Sequence, residues 1–336
     1  MERDPRTGYA LHKVERFGLQ RKIVANMTQE SWDSIPHAAG IVEPDITDLL
    51  RILEENKKSD AWKGISLNTV MLYAVTQALL YCPALNAHIT FRRGLVFGEI
   101  KQFKEVHISM PTGLPDGKIM TINVHNCQDM TLRDLQDYIS DMRRRLSNTN
   151  LDDALYEVAF ADTMTKLKKG KVLKVVGRLL GTKIGNGPIN KLEGEEARQY
   201  KALPPTERIV GKDIEQGTFL MSNIGSGAGS GVAGNTYSFI TMMEIVPPMV
   251  ACMGISAIVR RPGVVTKPDG TEVIEPRSYL PICTATDHRA ADLPEIIPFQ
   301  KRLLGIFDNP EQITAWINKK AGDTAAEFLA AEHEKP

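Results

Sequence analysis

The sequence has no net charge and no long hydrophobic run, and these two absences exclude classes of protein. Its 336 residues contain 41 Lys and Arg against 41 Asp and Glu, whereas a dedicated nucleic-acid binder needs a basic excess. No stretch approaches the roughly 18 consecutive apolar residues of a membrane-spanning helix. The first fifteen residues carry charges and no apolar core segment, which argues against a secretory signal. We therefore expect a cytoplasmic protein with no nucleic-acid partner.

Cysteine is scarce, and its four copies are far apart. Cys82, Cys127, Cys252 and Cys283 form no C-x-x-C pair, and no local cluster of cysteine and histidine has the spacing of a zinc site. Each lies in an apolar or strand-like stretch. The sequence therefore predicts four free, mostly buried thiols and no metal site.

Apolar residues at helical spacing indicate where the helices lie. Thr47 is placed as the N-cap of one helix, and Ser66–Cys82 is apolar on most sides until Pro83 stops it. Thr131 is the predicted cap of a third helix, whose apolar residues recur at spacings of three and four. A last long helix is predicted over Glu295–Phe307.

Strand signals are spread through the chain without strict βαβ alternation. A hairpin is predicted at residues 88–97, with Gly94 at the position that needs a positive φ. Further strands are predicted over residues 106–110, 119–124, 218–224, 249–259, 264–274 and 278–286, of which 264–274 folds back at Gly270. Helices and strands mixed in this way predict an α+β layer fold with a mixed β-sheet.

The segment Thr163–Leu192 differs in composition from the rest, because it contains eight basic residues and no acidic one. On a helical wheel, residues 171–180 place valines and leucines on one arc, with Lys171, Lys174 and Arg178 opposite. Three interpretations stay open: a helix packed on the body, a site for an anionic ligand or partner, and contact with a membrane surface.

Residues 287–292 read Asp-His-Arg-Ala-Ala-Asp and lie between an apolar strand and the last long helix. A histidine there is suited to take a proton from a thiol. Its ordinary pKa of about 6.5 lies near working pH and within about two units of the 8.5 of a thiol. By themselves, these six residues favour a structural histidine beside an ion-paired Arg289.

Five motifs occur together and in order along the chain. They are residues 35–37 (Ile-Pro-His), 83–87 (Pro-Ala-Leu-Asn-Ala), 217–225 (Gly-Thr-Phe-Leu-Met-Ser-Asn-Ile-Gly), 247–248 (Pro-Pro, leading to Gly-Ile-Ser) and 287–292. Together they resemble the catalytic domain of the dihydrolipoamide acyltransferase component of 2-oxo acid dehydrogenase complexes, and its relative chloramphenicol acetyltransferase. The resemblance covers about residues 17–310, apart from the basic segment.

The resemblance implies a fold, an assembly and a chemistry. The implied fold is an α+β two-layer sandwich, chloramphenicol acetyltransferase-like, with a mixed β-sheet. The implied assembly is a homo-oligomer, a trimer or a multiple of trimers, with each active site between two subunits. The implied chemistry is acyl transfer between thiols, with coenzyme A taking part as acyl-CoA.

The resemblance also implies roles for particular residues. His288 would take the proton from the attacking thiol of coenzyme A or dihydrolipoamide, which then attacks a thioester carbonyl. Asp292 would hold the loop through an arginine, either Arg21 or Arg289. A hydroxyl of Ser238 or Thr236 would donate a hydrogen bond to the tetrahedral oxyanion.

The chain departs from the pattern of this family in three ways. Leu293 stands where the family motif ends in glycine, and Gly217 lies 85 positions after Leu132, a longer stretch than in the family. No Asp-Lys-Ala lipoyl hairpin precedes the catalytic region, so no lipoyl attachment site is expected in this chain. We expect an N-terminal extension at residues 1–16, a catalytic domain at 17–310 with a basic insertion at about 155–212, and a polar helical tail at 311–336.

The predicted function is that of a free-standing acyltransferase, which moves an acyl group between coenzyme A and a second thiol or hydroxyl. Two alternatives stay open. One is the core of a 2-oxo acid dehydrogenase complex whose lipoyl domain is on another chain. The other is a non-catalytic trimeric scaffold that recruits partners through the basic segment, although the presence of both His288 and Asp292 favours an enzyme.

Overall fold

A computed structural model of the chain describes residues 2–113, 119–150, 153–154, 192, 194–225 and 240–333. The chain forms two compact units. The first combines Met1–Met27 with Asn148–Gly211, and the second combines Thr28–Ser147 with Lys212–Pro336. The second unit contains the sheets and most of the described helices.

The strands are β1 (His37–Val42), β2 (Ala87–Arg92), β3 (Phe97–Gln102), β4 (Ile108–Gly113), β5 (Ile119–Val124), β6 (Phe219–Asn223), β7 (Ala251–Ile255), β8 (Val259–Thr266), β9 (Glu272–Tyr279) and β10 (Ile282–Asp287). The described α-helices are α1 (Leu19–Ser34), α2 (Thr47–Asn56), α3 (Leu67–Tyr81), α4 (Leu132–Ser147), α5 (Gly194–Ala202), α6 (Leu293–Asp308) and α7 (Ala321–His333). Among these described helices, none is long and apolar enough to cross a membrane.

Six strands form a mixed sheet in the order β1-β10-β7-β6-β4-β5. The β7–β6 and β6–β4 pairs are parallel, and the other three pairs are antiparallel. Two separate antiparallel hairpins, β2–β3 and β8–β9, complete the sheet structure. The prediction of an α+β fold with a mixed sheet is confirmed.

Helix α3 is the centre of the helical layer, and eleven of its fifteen residues are buried. Ser66 caps its first turn by accepting a hydrogen bond from the Thr69 amide at 3.2 Å, and α4, α6 and α7 pack around it. The C-terminal segment contacts the same helix, because the Trp316 ring stacks on Tyr73 with centroids 4.5 Å apart. The predicted helix over residues 66–82 is confirmed.

Two predictions about helix caps and turns are wrong in their detail. The N-cap of α2 is Ile46, not Thr47, whose hydroxyl instead donates to Asp45 at 2.6 Å and so ties the chain before the helix. In the β2–β3 hairpin the residue with positive φ is Val96, at 46°, whereas Gly94 lies in a short 3₁₀ turn.

Two predicted strands are each divided in the structure. Residues 249–259 split between β7 and β8, and residues 278–286 split between β9 and β10. Pro281 lies at the second break, where its carbonyl accepts a hydrogen bond from the Ser256 amide at 3.0 Å. A proline lacks the N–H that a central strand requires, so the ladder restarts at Ile282.

All four cysteines are free and buried, as predicted. Burial raises the pKa of the Cys127 thiol to about 12, and it raises the pKa values of Cys82 and Cys252 in the same direction. These thiols are protonated at neutral pH.

Candidate functional site

His288 lies at the end of the central strand β10, where the chain turns towards α6. The turn is closed by the Ala290 and Ala291 amides, which donate to the Asp287 carbonyl at 2.8 and 3.1 Å. The His288 amide donates to the Pro36 carbonyl at 3.0 Å, just before β1 begins. Backbone bonds on both sides therefore fix the position of the His288 Cα.

The His288 imidazole pairs with the Asp292 carboxylate, with Nδ1 and Oδ1 2.7 Å apart. Since a carboxylate only accepts hydrogen bonds, Nδ1 carries the proton and the Nε2 lone pair is left to take another. The two side chains are 59% and 66% exposed, so a solute can reach the ring. Asp292 is itself held as the N-cap of α6, where its amide donates to Glu295 Oε2 at 2.9 Å.

One interpretation of the sequence expected Arg289 to hold Asp292, but the arginine has a different partner. Its guanidinium instead clamps Asp287, with Nε 2.9 Å from Oδ1 and Nη2 2.5 Å from Oδ2. The Asp287 side chain is completely buried, and the Arg289 guanidinium lies over the Phe91 ring at 5.7 Å. Arg21, the other predicted partner of Asp292, belongs to the first unit and stays a prediction.

His37 stands opposite Asp287 in the β1–β10 register, and sequence reasoning had given it no role. Burial lowers its pKa, and neighbouring Arg289 lowers it further, while Asp287 and Glu244 oppose them. Its Nε2 lies 3.3 Å from the Ser31 hydroxyl, and its ring contacts Trp32 with centroids 5.1 Å apart. The Ile-Pro-His motif at residues 35–37 was the available signal for this position.

Other sequence-predicted elements lie outside the described residues. These are the oxyanion candidates Ser238 and Thr236 and nearly all of the basic segment Thr163–Leu192. Gly225, at the end of the predicted Gly-Thr-Phe strand, is described, and a Cβ there would lie 2.4 Å from the Ser256 carbonyl oxygen. Only glycine permits that approach. Within the described ranges, no three His, Cys, Asp or Glu side chains converge to hold a metal ion.

Stability at acidic pH provides a test of the partly buried histidines, among which the case of His88 is clearest. Burial lowers the pKa of His88, whose Nε2 donates to the Gly217 carbonyl at 2.9 Å. The unfolded chain therefore binds this proton at a higher pH than the folded chain. The free energy of unfolding should fall as pH drops below about 6.5, the ordinary histidine value.

His88→Gln keeps a hydrogen-bond donor but does not titrate, so its stability should fall less steeply over the same range. Urea denaturation of both proteins between about pH 7 and pH 5 measures the difference. Parallel losses in the two proteins would show that His88 is protonated equally in the folded and unfolded states. Since the pKa values of His37 and His107 are also lowered, some acid sensitivity should remain in the variant.

The family of the chain follows from comparison with known proteins. The family model for the 2-oxoacid dehydrogenases acyltransferase (catalytic domain) matches residues 10–156 and 195–315. These residues make up most of the chain, so the chain belongs to this family, and the predicted resemblance is confirmed. The unmatched interval contains the basic segment Thr163–Leu192.

The curated relatives are longer proteins than this chain. The dihydrolipoyllysine-residue acetyltransferase component of the pyruvate dehydrogenase complex from Corynebacterium glutamicum is 23% identical over 292 residues, which are 86% of this chain and 32% of the relative. The chain thus spans about a third of the length of the relatives it matches.

Solved structures share the fold. The cubic core of the pyruvate dehydrogenase multienzyme complex aligns with a TM-score of 0.60 at 18% identity, over 94% of this chain and 98% of that one. The dihydrolipoamide acetyltransferase of Azotobacter vinelandii, studied for the catalytic roles of a serine, a histidine and an asparagine, gives 0.59 at 18% identity over the same shares. The predicted chloramphenicol acetyltransferase-like fold class is confirmed at the level of the catalytic core.

Proposed function

We propose that this protein is an acyltransferase that moves an acyl group between coenzyme A and a second thiol or hydroxyl, with His288 as the general base. The observation that carries this proposal is the His288–Asp292 pair at the end of β10, exposed to solvent and with Nε2 oriented away from the carboxylate contact. In the Azotobacter vinelandii enzyme, the asparagine under study stands four residues after the histidine. Asp292 follows His288 at the same spacing.

The proposed reaction proceeds through a tetrahedral intermediate. His288 Nε2 takes the proton of the attacking thiol, and the sulfur forms a bond to the thioester carbonyl carbon as the carbonyl electrons move to oxygen. Asp292 stabilises the imidazolium that this step creates. Collapse of the intermediate breaks the bond to the second sulfur, which takes the proton back from His288. A hydroxyl of Ser238 or Thr236 is the proposed hydrogen-bond donor to the oxyanion.

The experiment that tests this function is incubation with a panel of acyl-CoAs, with and without dihydrolipoamide, followed by mass spectrometry of free coenzyme A. We expect release of coenzyme A that depends on an acceptor. Acylation of free dihydrolipoamide would identify the core of a dehydrogenase complex whose lipoyl domain is on another chain. No release from any acyl-CoA with any thiol or hydroxyl acceptor would favour the scaffold.

Oligomerisation provides an independent test, because the family resemblance places each site between two subunits. A structural relative is the cubic core of a multienzyme complex, and we propose that this chain also assembles as a trimer or a multiple of trimers. Light scattering at micromolar concentration should give three times the chain mass or a multiple of that. A monomer at this concentration would leave the site half assembled and contradict the proposal.

A further inference from the structure

The β2–β3 hairpin has an unusual tip. All ten residues from Phe91 to Ile100 are exposed, so the end of this hairpin projects from the second unit. Three consecutive apolar side chains stand at the turn: Leu95 is 71% exposed, Val96 84% and Phe97 64%. Apolar groups at such a density are seldom left in water unless something binds them.

The backbone at the tip is strained. Val96 has φ 46° and ψ 44°, the left-handed region that a β-branched residue rarely adopts. Asparagine or glycine would adopt this conformation with less strain. Valine at this position therefore makes the turn less stable than asparagine or glycine would, and its apolar side chain is the property that distinguishes it from those residues.

The charge at the tip is equally distinctive. Arg92 and Arg93 begin the turn, and neither forms an ion pair with a carboxylate of the described residues. The other hairpin shows the contrast, because on β8–β9 Arg261 pairs with Glu43, and Arg277 pairs with Asp45 and Asp48. The tip Arg92–Phe97 contains two positive charges and no negative one.

We propose that this tip, residues 92–97, inserts into the headgroup region of an anionic lipid bilayer. Leu95, Val96 and Phe97 enter the acyl boundary, and the two arginines contact lipid phosphates, so apolar burial and charge attraction act together. A second copy of the chain fits less well. Three side chains offer far less than the about 800 Å² per partner that a stable protein interface buries.

Cosedimentation with vesicles tests the proposal. The full chain should bind vesicles of equal parts phosphatidylglycerol and phosphatidylcholine, more weakly at high salt, and should not bind vesicles of phosphatidylcholine alone. Arg92→Gln and Arg93→Gln should each weaken binding about fivefold, the equivalent of roughly 1 kcal/mol per basic residue. The double variant Leu95→Ser/Val96→Asn should abolish binding.

Two measurements distinguish a tip variant that no longer binds vesicles from one that no longer folds. Because Val96→Asn relieves the left-handed strain, the double variant should melt at the same or a higher temperature than the wild type. Its coenzyme A release in the absence of vesicles should be unchanged. Val264→Ser/Ile274→Ser, which removes two exposed apolar side chains from the other hairpin, is the matched control and should bind as the wild type does.

Three results would overturn the inference. One is the absence of sedimentation with anionic vesicles. Another is sedimentation that the tip variants leave intact but that Lys168→Gln/Lys169→Gln/Lys171→Gln/Lys174→Gln removes, which would assign membrane contact to the basic segment alone. The last is a change of oligomeric mass in the tip variants without a change in vesicle binding, which would identify a protein interface.

Discussion

Replacing His288 with alanine is expected to lower turnover about a hundredfold or more, the usual contribution of a general base. The variant loses the only group placed to accept the thiol proton in the proposed reaction, while the turn keeps its backbone bonds to Pro36 and Asp287. The measurement is the rate of coenzyme A release at saturating substrate. Circular dichroism and light scattering of the variant should match the wild type.

Two further variants test whether the loss of rate is specific to His288. His12→Ala removes an exposed histidine from the first unit and should leave the rate unchanged. Asp292→Asn keeps an acceptor near Nδ1 but removes the charge that stabilises the imidazolium, so its rate should lie between those of the wild type and His288→Ala. A purified His288→Ala protein with near wild-type activity would show that the base is elsewhere.

Replacing Arg289 with methionine is expected to destabilise the protein by about 3 kcal/mol, because it leaves the Asp287 carboxylate buried without its partner. The Asp287 side chain is completely buried, and two guanidinium nitrogens bond it directly. The shift in the urea midpoint measures the loss. Arg51→Met, which breaks an exposed ion pair with Glu55, is the control and should cause no measurable change.

A double variant tests whether the loss comes from the unpaired charge. Adding Asp287→Asn to Arg289→Met removes the charge that the single variant strands, so the double variant should be more stable than Arg289→Met alone. If the two losses simply add, the clamp has no coupling energy and the destabilisation has another origin. Thermal melts of the four proteins provide a second measure.

The fold was predictable where the local signal and the tertiary context agree. The helix over residues 66–82 stops before Pro83 as the sequence indicates, and the structure adds Ser66 as its cap. Thr47 is not the cap because its hydroxyl donates to Asp45, two residues earlier, and accepts from the amide of Ser278 in β9. Gly94 does not have the positive φ because it lies inside a 3₁₀ turn over Arg93–Leu95. The left-handed position follows that turn and is occupied by Val96.

Of the candidate site, the sequence indicated three residues of one motif but not the pairings between them. The motif at 287–292 marked His288, Arg289 and Asp292, yet spacing alone could not assign the acidic partner of the arginine. Asp287 is buried at the end of a central strand, so it requires the cation more than exposed Asp292 does. The burial of Asp287 depends on the order of strands in the sheet, and the sequence motifs do not reveal that order.

The burial of the four cysteines has a consequence for selectivity among sulfur atoms. Thioesters acylate whichever thiolate reaches them, and a protonated thiol is a poor nucleophile. With its own thiols buried, and with the pKa values of Cys82, Cys127 and Cys252 raised, the protein offers no competing sulfur to an acyl donor. In the proposed reaction, the enzyme is thereby protected from acylating itself, and the incoming substrate is the sulfur that reacts.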